Sequence, residues 1–388
     1  MAADQFTEVT SQSWFGRLGG AIKGVLIGIV LFLAAFPLLF WNEGRAVKTH
    51  KDLEQGNKDV ISISADKVDG ANEGKLVHLG GLADTAGTLA DDTFGISSKA
   101  LRLRRDVEMF QWKESKDSTE KKKLGGGTDT TTTYSYDKAW SSKAIDSGAF
   151  KHPEDHQNPA SMAYSSEEKT AADATLGAFK LSPSLLGKID NFRPITVAAD
   201  HPVPTAPGKK IQIDTNGFYV GFYPASPQVG DLRISFKEVP PTEVSVVARQ
   251  SGDSFSPFKG KAGTNIEMLK IGTHDAATMF ADAEASNKMM TWILRLAGLI
   301  IMTIGLSMVF RPLSVAADLV PIIGSIVGAG TGLVALLISA VLSLITIAIA
   351  WVVYRPLIGI TLLVVAVAIA VFLGMKLGKA RAKQKAAA

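Results

Sequence analysis

The sequence predicts an α+β membrane protein, with four transmembrane helices and a large, mostly antiparallel, β-rich extracytoplasmic domain. Long apolar runs near the N-terminus and in the last hundred residues predict the transmembrane helices. About 20 apolar residues at 1.5 Å each cover the ~30 Å hydrocarbon core of a bilayer. Between these runs, apolar and charged residues alternate, as is typical of half-buried strands.

Composition narrows the classes of function. The chain has 388 residues, with 41 Lys+Arg against 37 Asp+Glu, a formal net charge of +4 and no Cys. This charge is too balanced, and too little clustered, to indicate a nucleic-acid partner. The lack of cysteine excludes disulfides, thiolate catalysis and cysteine zinc sites.

The first apolar run covers residues 21–41, with Lys23 near its start. A cleaved signal peptide is the alternative, because the run is close to the N-terminus. The run is longer than an ordinary signal-peptide core of about 7–15 residues, and no A-x-A cleavage site follows it. We therefore predict a retained anchor, with Pro37 kinking its last turn and Trp41 at the membrane interface.

Three further runs follow the large domain, at residues 292–310, 321–354 and 357–375. Pro312 and Pro356 are each preceded by Arg and are expected to end one helix and start the next. The middle run exceeds one straight crossing, so a kinked helix and a broken helix are both open.

Orientation follows from the basic residues in short flanking segments. Segment 376–388 has five Lys and Arg and no acid, which predicts a cytoplasmic tail. Four crossings then place the start of segment 1–41, including Arg17, in the cytoplasm as well. Segment 291–375 holds three transmembrane helices, and segment 42–290 is expected outside the cytoplasm. Basic residues directly after the first run oppose this orientation.

The region between the spans is predicted to be a mixed α+β domain. Pro240 and Pro241 separate two of the expected strands and predict a hairpin turn between them. The polar, Gly-rich segment 121–133 predicts a mobile loop. Strand-rich stretches 60–150 and 210–275 are candidate lobes of similar build. The expected strands lie at residues 75–80, 100–112, 230–239, 243–250 and 266–271, and the expected helices at 167–179, 181–189 and 276–287.

Candidate chemistry in the domain is limited to residues 152–156, His-Pro-Glu-Asp-His. Two imidazoles and two carboxylates could bind a divalent metal. Pro153 and the misplaced acids exclude a helical H-E-x-x-H zinc site, and a solvated loop is the preferred interpretation. We therefore predict no catalytic residue, no metal and no cofactor.

Small residues mark a possible packing face in the membrane. Gly324, Gly328 and Gly332 recur every fourth residue, which predicts close approach of a second helix. This contact could lie within one chain or between copies of the chain.

Several motifs resemble the LUMA family, also called the transmembrane protein forty-three family. They are FWNEGRAV at 40–47, LRLRRDVEMFQW at 101–112, YSYDKAW at 134–140 and TWILRLAGLIIMTIGL at 291–306. The resemblance implies four transmembrane helices, a large domain in the lumen or periplasm, and self-association. It also implies the endoplasmic reticulum and inner nuclear membrane for a eukaryotic member. The Ala-rich, Cys-free sequence favours a bacterial member in the inner (plasma) membrane.

The preferred function is a multi-pass membrane scaffold or organiser, not an enzyme. It is expected to form a homo-oligomer and to recruit membrane lipids or other membrane proteins through its extracytoplasmic domain. A channel or transporter component is the first alternative, although no ionisable residue lies in the middle of a span. A periplasmic or lumenal lipid-processing enzyme is the second.

Overall fold

The computed structural model describes residues 4–205, 208–214, 216–357, 359–361 and 364. The predicted fourth span, 357–375, lies almost wholly outside the described residues, and the basic tail, 376–388, lies outside them entirely. Within the described part, the fold is α+β: three long apolar helices, each able to span a membrane, accompany antiparallel sheets.

The α-helices with defined bounds are α1 Trp14–Asp59, α2 Pro183–Leu186, α3 Ala276–Ala317 and α4 Pro321–Tyr354. Residues 356, 357, 359–361 and 364 are also helical. Two 3₁₀ turns occur at Gly70–Asn72 and Ser147–Ala149. The strands are β1 Asp4–Gln12, β2 Ile61–Ser62, β3 Leu76–Asp84, β4 Leu89–Asp91, β5 Ile96–Ser98, β6 Arg102–Lys122, β7 Thr128–Ser141, β8 Glu167–Thr170, β9 Thr175–Leu176, β10 Phe179–Lys180, β11 Arg193–Ile195, β12 Ile211–Asp214, β13 Gly217–Val220, β14 Leu232–Val239, β15 Thr242–Ser251, β16 Ser254–Ser256, β17 Phe258–Lys259, β18 Asn265–Ile266 and β19 Met268–Ile271.

Contacts divide the chain into two compact units. Unit 1 comprises Met1–Thr10, Asp52–Glu120 and Thr130–Asp282. Unit 2 comprises Ser11–Lys51, Lys121–Asp129 and Ala283–Ala388. The apolar segments of the three long helices belong to unit 2, together with the turn between β6 and β7.

Two large sheets form the frame of unit 1. The first has the order β1-β7-β6-β14-β13-β12, with β8 on β6 and β11 on β14. The second has the order β10-β9-β3-β15-β16, with β19 on β15 and β2 on β3. Of the strand pairs with a defined register, only β2 with β3 is parallel.

Each sheet has its own hydrophobic core. Val107, Phe218 and Phe236 are fully or almost fully buried in the core of the first sheet. Val77 and Val246 are fully buried in the core of the second. Alternation of buried and exposed residues along β6 and β14 gives each strand one inward face, as the sequence predicted.

The two prolines do not form a hairpin, and this prediction was wrong. They stand between β14 and β15, which belong to different sheets. Strand β14 pairs with β6 over residues 232–239, whereas β15 pairs with β3 over residues 242–249. Pro240 and Pro241 therefore redirect the chain from one sheet to the other. The same pairings join residues 60–150 with residues 210–275 in both sheets, so these stretches are not separate lobes.

Segment 167–179 does not form a helix, in contrast to the prediction. Residues 167–170 are strand β8, which pairs antiparallel with β6. Glu168 accepts a hydrogen bond from Arg102 at 2.8 Å. Glu167 accepts one from Arg105 at 3.1 Å. Strand pairing and these ion pairs override a modest helical propensity.

Segment 121–133 is also more ordered than predicted. Strands β6 and β7 extend into it and leave a tight turn at residues 123–127, closed by Lys123 N donating to Gly127 O at 2.8 Å. Gly125 and Gly126 have φ of 86° and 80°, a region that glycine reaches without strain.

The long helices extend past the predicted span limits. Helix α1 continues through Pro37, and α3 continues through Pro312 to Ala317, so this proline does not end the helix. The linker helix at 276–287 is confirmed as the first part of α3. Helix α4 is one uninterrupted helix of 34 residues, so the run 321–354 is not broken.

Candidate functional site in the helical unit

A buried carboxylate, Glu43, connects the three long helices of unit 2. Glu43 on α1 is 1% exposed. Arg295 on α3 donates to both of its oxygens, Nε to Oε1 at 2.6 Å and Nη2 to Oε2 at 2.9 Å. Trp351 on α4 donates its Nε1–H to Oε2 at 2.7 Å. A two-point Arg–carboxylate pair fixes orientation as well as distance, so this residue sets the spacing of the three helices.

A ladder of polar contacts continues from Glu43 between α1 and α3. Asn42 donates to Thr291 O at 3.0 Å. Arg45 donates to Asn287 Oδ1 at 3.1 Å and to Thr291 Oγ1 at 3.0 Å. Asn287 in turn donates to Ala46 O at 3.0 Å. Polar side chains buried among helices need such partners, since an unsatisfied group carries a large desolvation cost.

An open cavity of about 330 Å³ lies beside this ladder. We call it the helix-end pocket, because it is formed where the apolar segments of the three helices end. Its lining includes His50, Lys288, Trp292, Arg295, Trp351 and Arg355.

A second buried carboxylate, Asp318, follows the last residue of α3. Its side chain is 1% exposed. Lys122 Nζ lies 2.6 Å from Oδ1, and Arg17 Nη2 lies 2.6 Å from Oδ2. Arg17 also donates from Nη1 to Gly126 O at 2.5 Å. Asp318 thereby joins the start of α1, the turn between β6 and β7, and the connection between α3 and α4.

The charge of Asp318 is maintained despite its burial. Burial by itself would raise the pKa of this carboxyl. The hydrogen bonds and positive charges of Lys122 and Arg17 together outweigh that effect, so its pKa lies below the ordinary value for Asp. The carboxylate is therefore ionised at neutral pH and acts as an anchor for two cations.

These contacts oppose one part of the predicted orientation. Arg17 was assigned to the cytoplasm and Lys122 to the opposite side of the membrane. Both touch Asp318, and side chains in direct contact share one side of any bilayer. The compartment of each segment stays a prediction, which the contacts of Asp318 now make testable.

The segment at residues 152–156 is not simply a solvated loop. His156 is 1% exposed and stacks on Tyr136 with ring centroids 3.9 Å apart. Its Nδ1 lies 2.8 Å from His152 O and its Nε2 lies 3.1 Å from Asp4 Oδ2. Among the described residues, no group of three or more His, Cys, Asp or Glu is arranged to hold a metal ion. The structure thus gives His156 a packing role in unit 1.

The glycines predicted as a packing face are used in different ways. A Cβ at Gly328 would meet Ser314 Oγ at 2.8 Å, and one at Gly324 would overlap Asp318, so Gly328 faces α3 and Gly324 faces the connection that follows it. Among the described residues, none has an atom within 4 Å of a Cβ added at Gly332. A contact at Gly332, and any contact between copies of the chain, stays a prediction.

A close approach of helices α1 and α3 was missed by the sequence analysis. A Cβ on Gly28 would lie 2.6 Å from Gly305 O, and one on Gly305 would lie 2.5 Å from Phe32 N. Helices α1 and α3 thus cross with their backbones in contact. Gly24 and Gly28, four residues apart in the first apolar run, were the available signal.

Comparison with known proteins decides the family. A family model described as Transmembrane protein 43 matches residues 109–356. The chain belongs to the transmembrane protein 43 family. The resemblance to the LUMA family is thereby confirmed, and this family member is an integral membrane protein with three described candidate spans.

Relatives in animals match over most of their length. Transmembrane protein 43 of Rattus norvegicus is 37% identical over 354 residues, which cover 88% of this chain and 87% of the relative. The Homo sapiens protein is 36% identical with the same coverage. The Drosophila melanogaster homolog is 28% identical and covers 87% of this chain and 90% of its own length. No solved structure matches the chain.

The family match covers most of the two carboxylate clusters. Arg295, Trp351, Lys122 and Asp318 lie inside the matched range of residues 109–356, while Glu43 lies before it. The sequence analysis assigned no partner to Arg295. An acid just after the first apolar run and a base just inside the second were the signal for their pairing, because antiparallel helices bring these ends together.

Proposed function

We propose that this family member is a multi-pass membrane scaffold that self-assembles and recruits protein or lipid partners, without catalysing a reaction. The observation that carries the proposal is Glu43, which is bound at once by Arg295 and Trp351 from two other helices. Breaking such a buried pair costs about 3–5 kcal/mol. The three helices therefore favour one fixed arrangement, which is expected of a scaffold rather than of a channel that opens and closes.

The distribution of charged residues supports a scaffold rather than a channel or transporter. Segments 24–41, 296–310 and 322–354 contain no ionisable Asp, Glu, Lys, Arg or His. Ion and proton pathways through membranes are marked by such residues within the spans. The charged residues of unit 2 instead lie at helix ends, where they connect helices.

The proposed membrane follows from the sequence analysis. We propose the inner (plasma) membrane if the chain is bacterial, and the endoplasmic reticulum and inner nuclear membrane if it is eukaryotic. In either case the partners are membrane lipids, further copies of the chain and other membrane proteins.

The test is a measurement of composition in native lipid. The full chain is extracted directly into native-lipid nanodiscs, and the mass of each particle is determined with its bound proteins quantified. A scaffold is expected to yield a defined stoichiometry of two or more copies, or a fixed ratio to a second membrane protein. Proteoliposomes containing the same protein are expected to show no ion flux above empty liposomes. Strictly monomeric, partner-free particles or a protein-dependent flux would overturn the proposal.

A further inference from the structure

The helix-end pocket combines a position at the membrane interface with an excess of positive charge. Trp292 and Trp351 line it, and Trp292 is 67% exposed. Tryptophan at the end of an apolar helical segment is typical of the headgroup level of a bilayer. The pocket is therefore accessible from the region where lipid headgroups lie.

The acids near the pocket already have counter-charges. Glu284 lies 2.9 Å from His50 and 4.0 Å from Lys288. Glu43 is neutralised by Arg295. Among the residues that the structure describes, the Arg355 side chain makes no hydrogen bond or ion pair, although it lines the same cavity. Arg355 thus provides a positive charge that none of the described residues balances.

Arg295 is held in place beside this charge. Its guanidinium lies 4.7 Å from the ring centre of Trp292 and 5.7 Å from that of Trp351. Its Nε and Nη2 bind Glu43, and Nη1 makes no hydrogen bond to any described residue. A guanidinium fixed by stacking and by a carboxylate loses little further freedom when it donates to an anion.

We propose that the helix-end pocket binds the phosphate of an anionic phospholipid headgroup. Arginine favours phosphate because its planar donors match the phosphate oxygens. The volume of about 330 Å³ fits a small headgroup. Exposed Ile293 and Leu296 follow Trp292 along α3 and provide an apolar surface for the acyl chains. A free phosphate ion would use the cations but not this apolar surface.

This inference deepens the proposed function, on which it rests, by assigning the lipid class that the scaffold recruits. It concerns a site in unit 2 and is read out separately from assembly. A loss of lipid binding with unchanged particle stoichiometry would affect only the pocket, and the reverse result would affect only the scaffold.

The experiment measures lipid binding to the full chain in mild detergent by native mass spectrometry. Phosphatidylglycerol, phosphatidylcholine and inorganic phosphate are titrated separately onto wild type, Arg355→Gln, Arg355→Lys and Lys48→Gln. Lys48 is an exposed cation on α1 that does not line the pocket, so its variant is the matched control. Thermal unfolding of each variant in the same detergent shows that it is folded.

Wild type is expected to bind phosphatidylglycerol more tightly than phosphatidylcholine. Arg355→Gln is expected to weaken phosphatidylglycerol binding about tenfold or more, the usual effect of losing one charged hydrogen-bonding partner. Arg355→Lys should be intermediate and Lys48→Gln unchanged. Equal binding by wild type and Arg355→Gln would overturn the proposal. Displacement of all bound lipid by millimolar inorganic phosphate would overturn the lipid assignment in favour of a free-phosphate site.

Discussion

At the residue scale, two buried carboxylates organise the helical unit. Glu43 and Asp318 are each 1% exposed, and each is bound by two side chains from other segments. Neither carboxylate lies in the middle of an apolar segment. A charge at the end of such a segment can be paired at a lower desolvation cost than one at the bilayer centre. Pairing at the ends therefore fixes helix positions while the apolar lengths remain in contact with lipid.

Removal of the charge of Glu43 should destabilise the helical unit. Glu43→Gln keeps the volume but leaves Arg295 without its counter-charge, and we expect a loss of about 3–5 kcal/mol. Thermal or denaturant unfolding in a fixed detergent measures this. The control is Glu54→Gln, because Glu54 forms an exposed pair with Lys58, with side chains 55% and 65% exposed. Its effect should stay below about 1 kcal/mol.

A double variant separates charge from packing at this site. Glu43→Gln combined with Arg295→Met removes both charges and keeps an apolar side chain of similar length. Replacement of a whole buried ion pair is often close to neutral, so the double variant should recover much of the lost stability. A double variant as unstable as Glu43→Gln would show that the geometry of Arg295, and not its charge balance, supports the helices.

At the element scale, the sequence predicted the strands better than their partners. Strands β3, β6, β14 and β15 were expected from alternation alone and are present. Alternation gives the buried face of a strand but not its neighbour, and the diproline was taken as a hairpin turn for that reason. The pairing of β14 with β6 joins residues more than a hundred positions apart. Only long-range packing determines such a pairing.

The site was less predictable than the helices for the same reason. Apolar length and composition were enough to find the three described spans. The pairing of Glu43 with Arg295 needed the register between α1 and α3, which depends on the crossing of Gly28 and Gly305. A glycine spacing indicates a contact face, but it does not name the helix that occupies the face.

A bulky residue at the crossing of α1 and α3 should separate these helices. Gly28→Leu places a side chain where a Cβ alone would lie 2.6 Å from Gly305 O and 2.8 Å from Met308 Cβ. Overpacking of this kind costs about 1–3 kcal/mol, and backbone contact leaves little room for adjustment. The control on the same helix is Gly20→Leu, since no described residue has an atom within 4 Å of a Cβ added at Gly20. Unfolding midpoints in one detergent compare the two, and equal midpoints would contradict the crossing.

At the scale of the whole molecule, the apolar runs and the contacts of Asp318 predict different sides of the membrane for Lys122. The apolar runs predict helices that cross the bilayer, with residues 311–320 in the cytoplasm and residues 42–290 outside it. Asp318 instead touches Lys122, which lies within 42–290. Arg17 also touches Asp318, and the apolar run 21–41 of α1 separates Arg17 from Lys48. Residues 124 and 319 should therefore lie on one side of the membrane, and residue 48, which the apolar run of α1 separates from Arg17, on the other.

The absence of cysteine makes this last prediction directly measurable, because each variant then carries a single thiol. Leu124→Cys and Leu319→Cys place thiols at positions 86% and 51% exposed, and Lys48→Cys adds a third exposed position. A membrane-impermeant maleimide is applied to sealed vesicles of known orientation, and detergent-opened vesicles give the total reactive thiol. The contacts of Asp318 predict that positions 124 and 319 react from the same face. The apolar run of α1 predicts that position 48 reacts from the other face. Labelling of Leu319→Cys from the face opposite to Leu124→Cys would contradict these contacts, and would mean that Asp318 and Lys122 are apart in the membrane. Asp318→Asn tests the origin of a shared face: loss of its charge should weaken the attachment of Lys122 and Arg17 and increase the labelling rate at position 124.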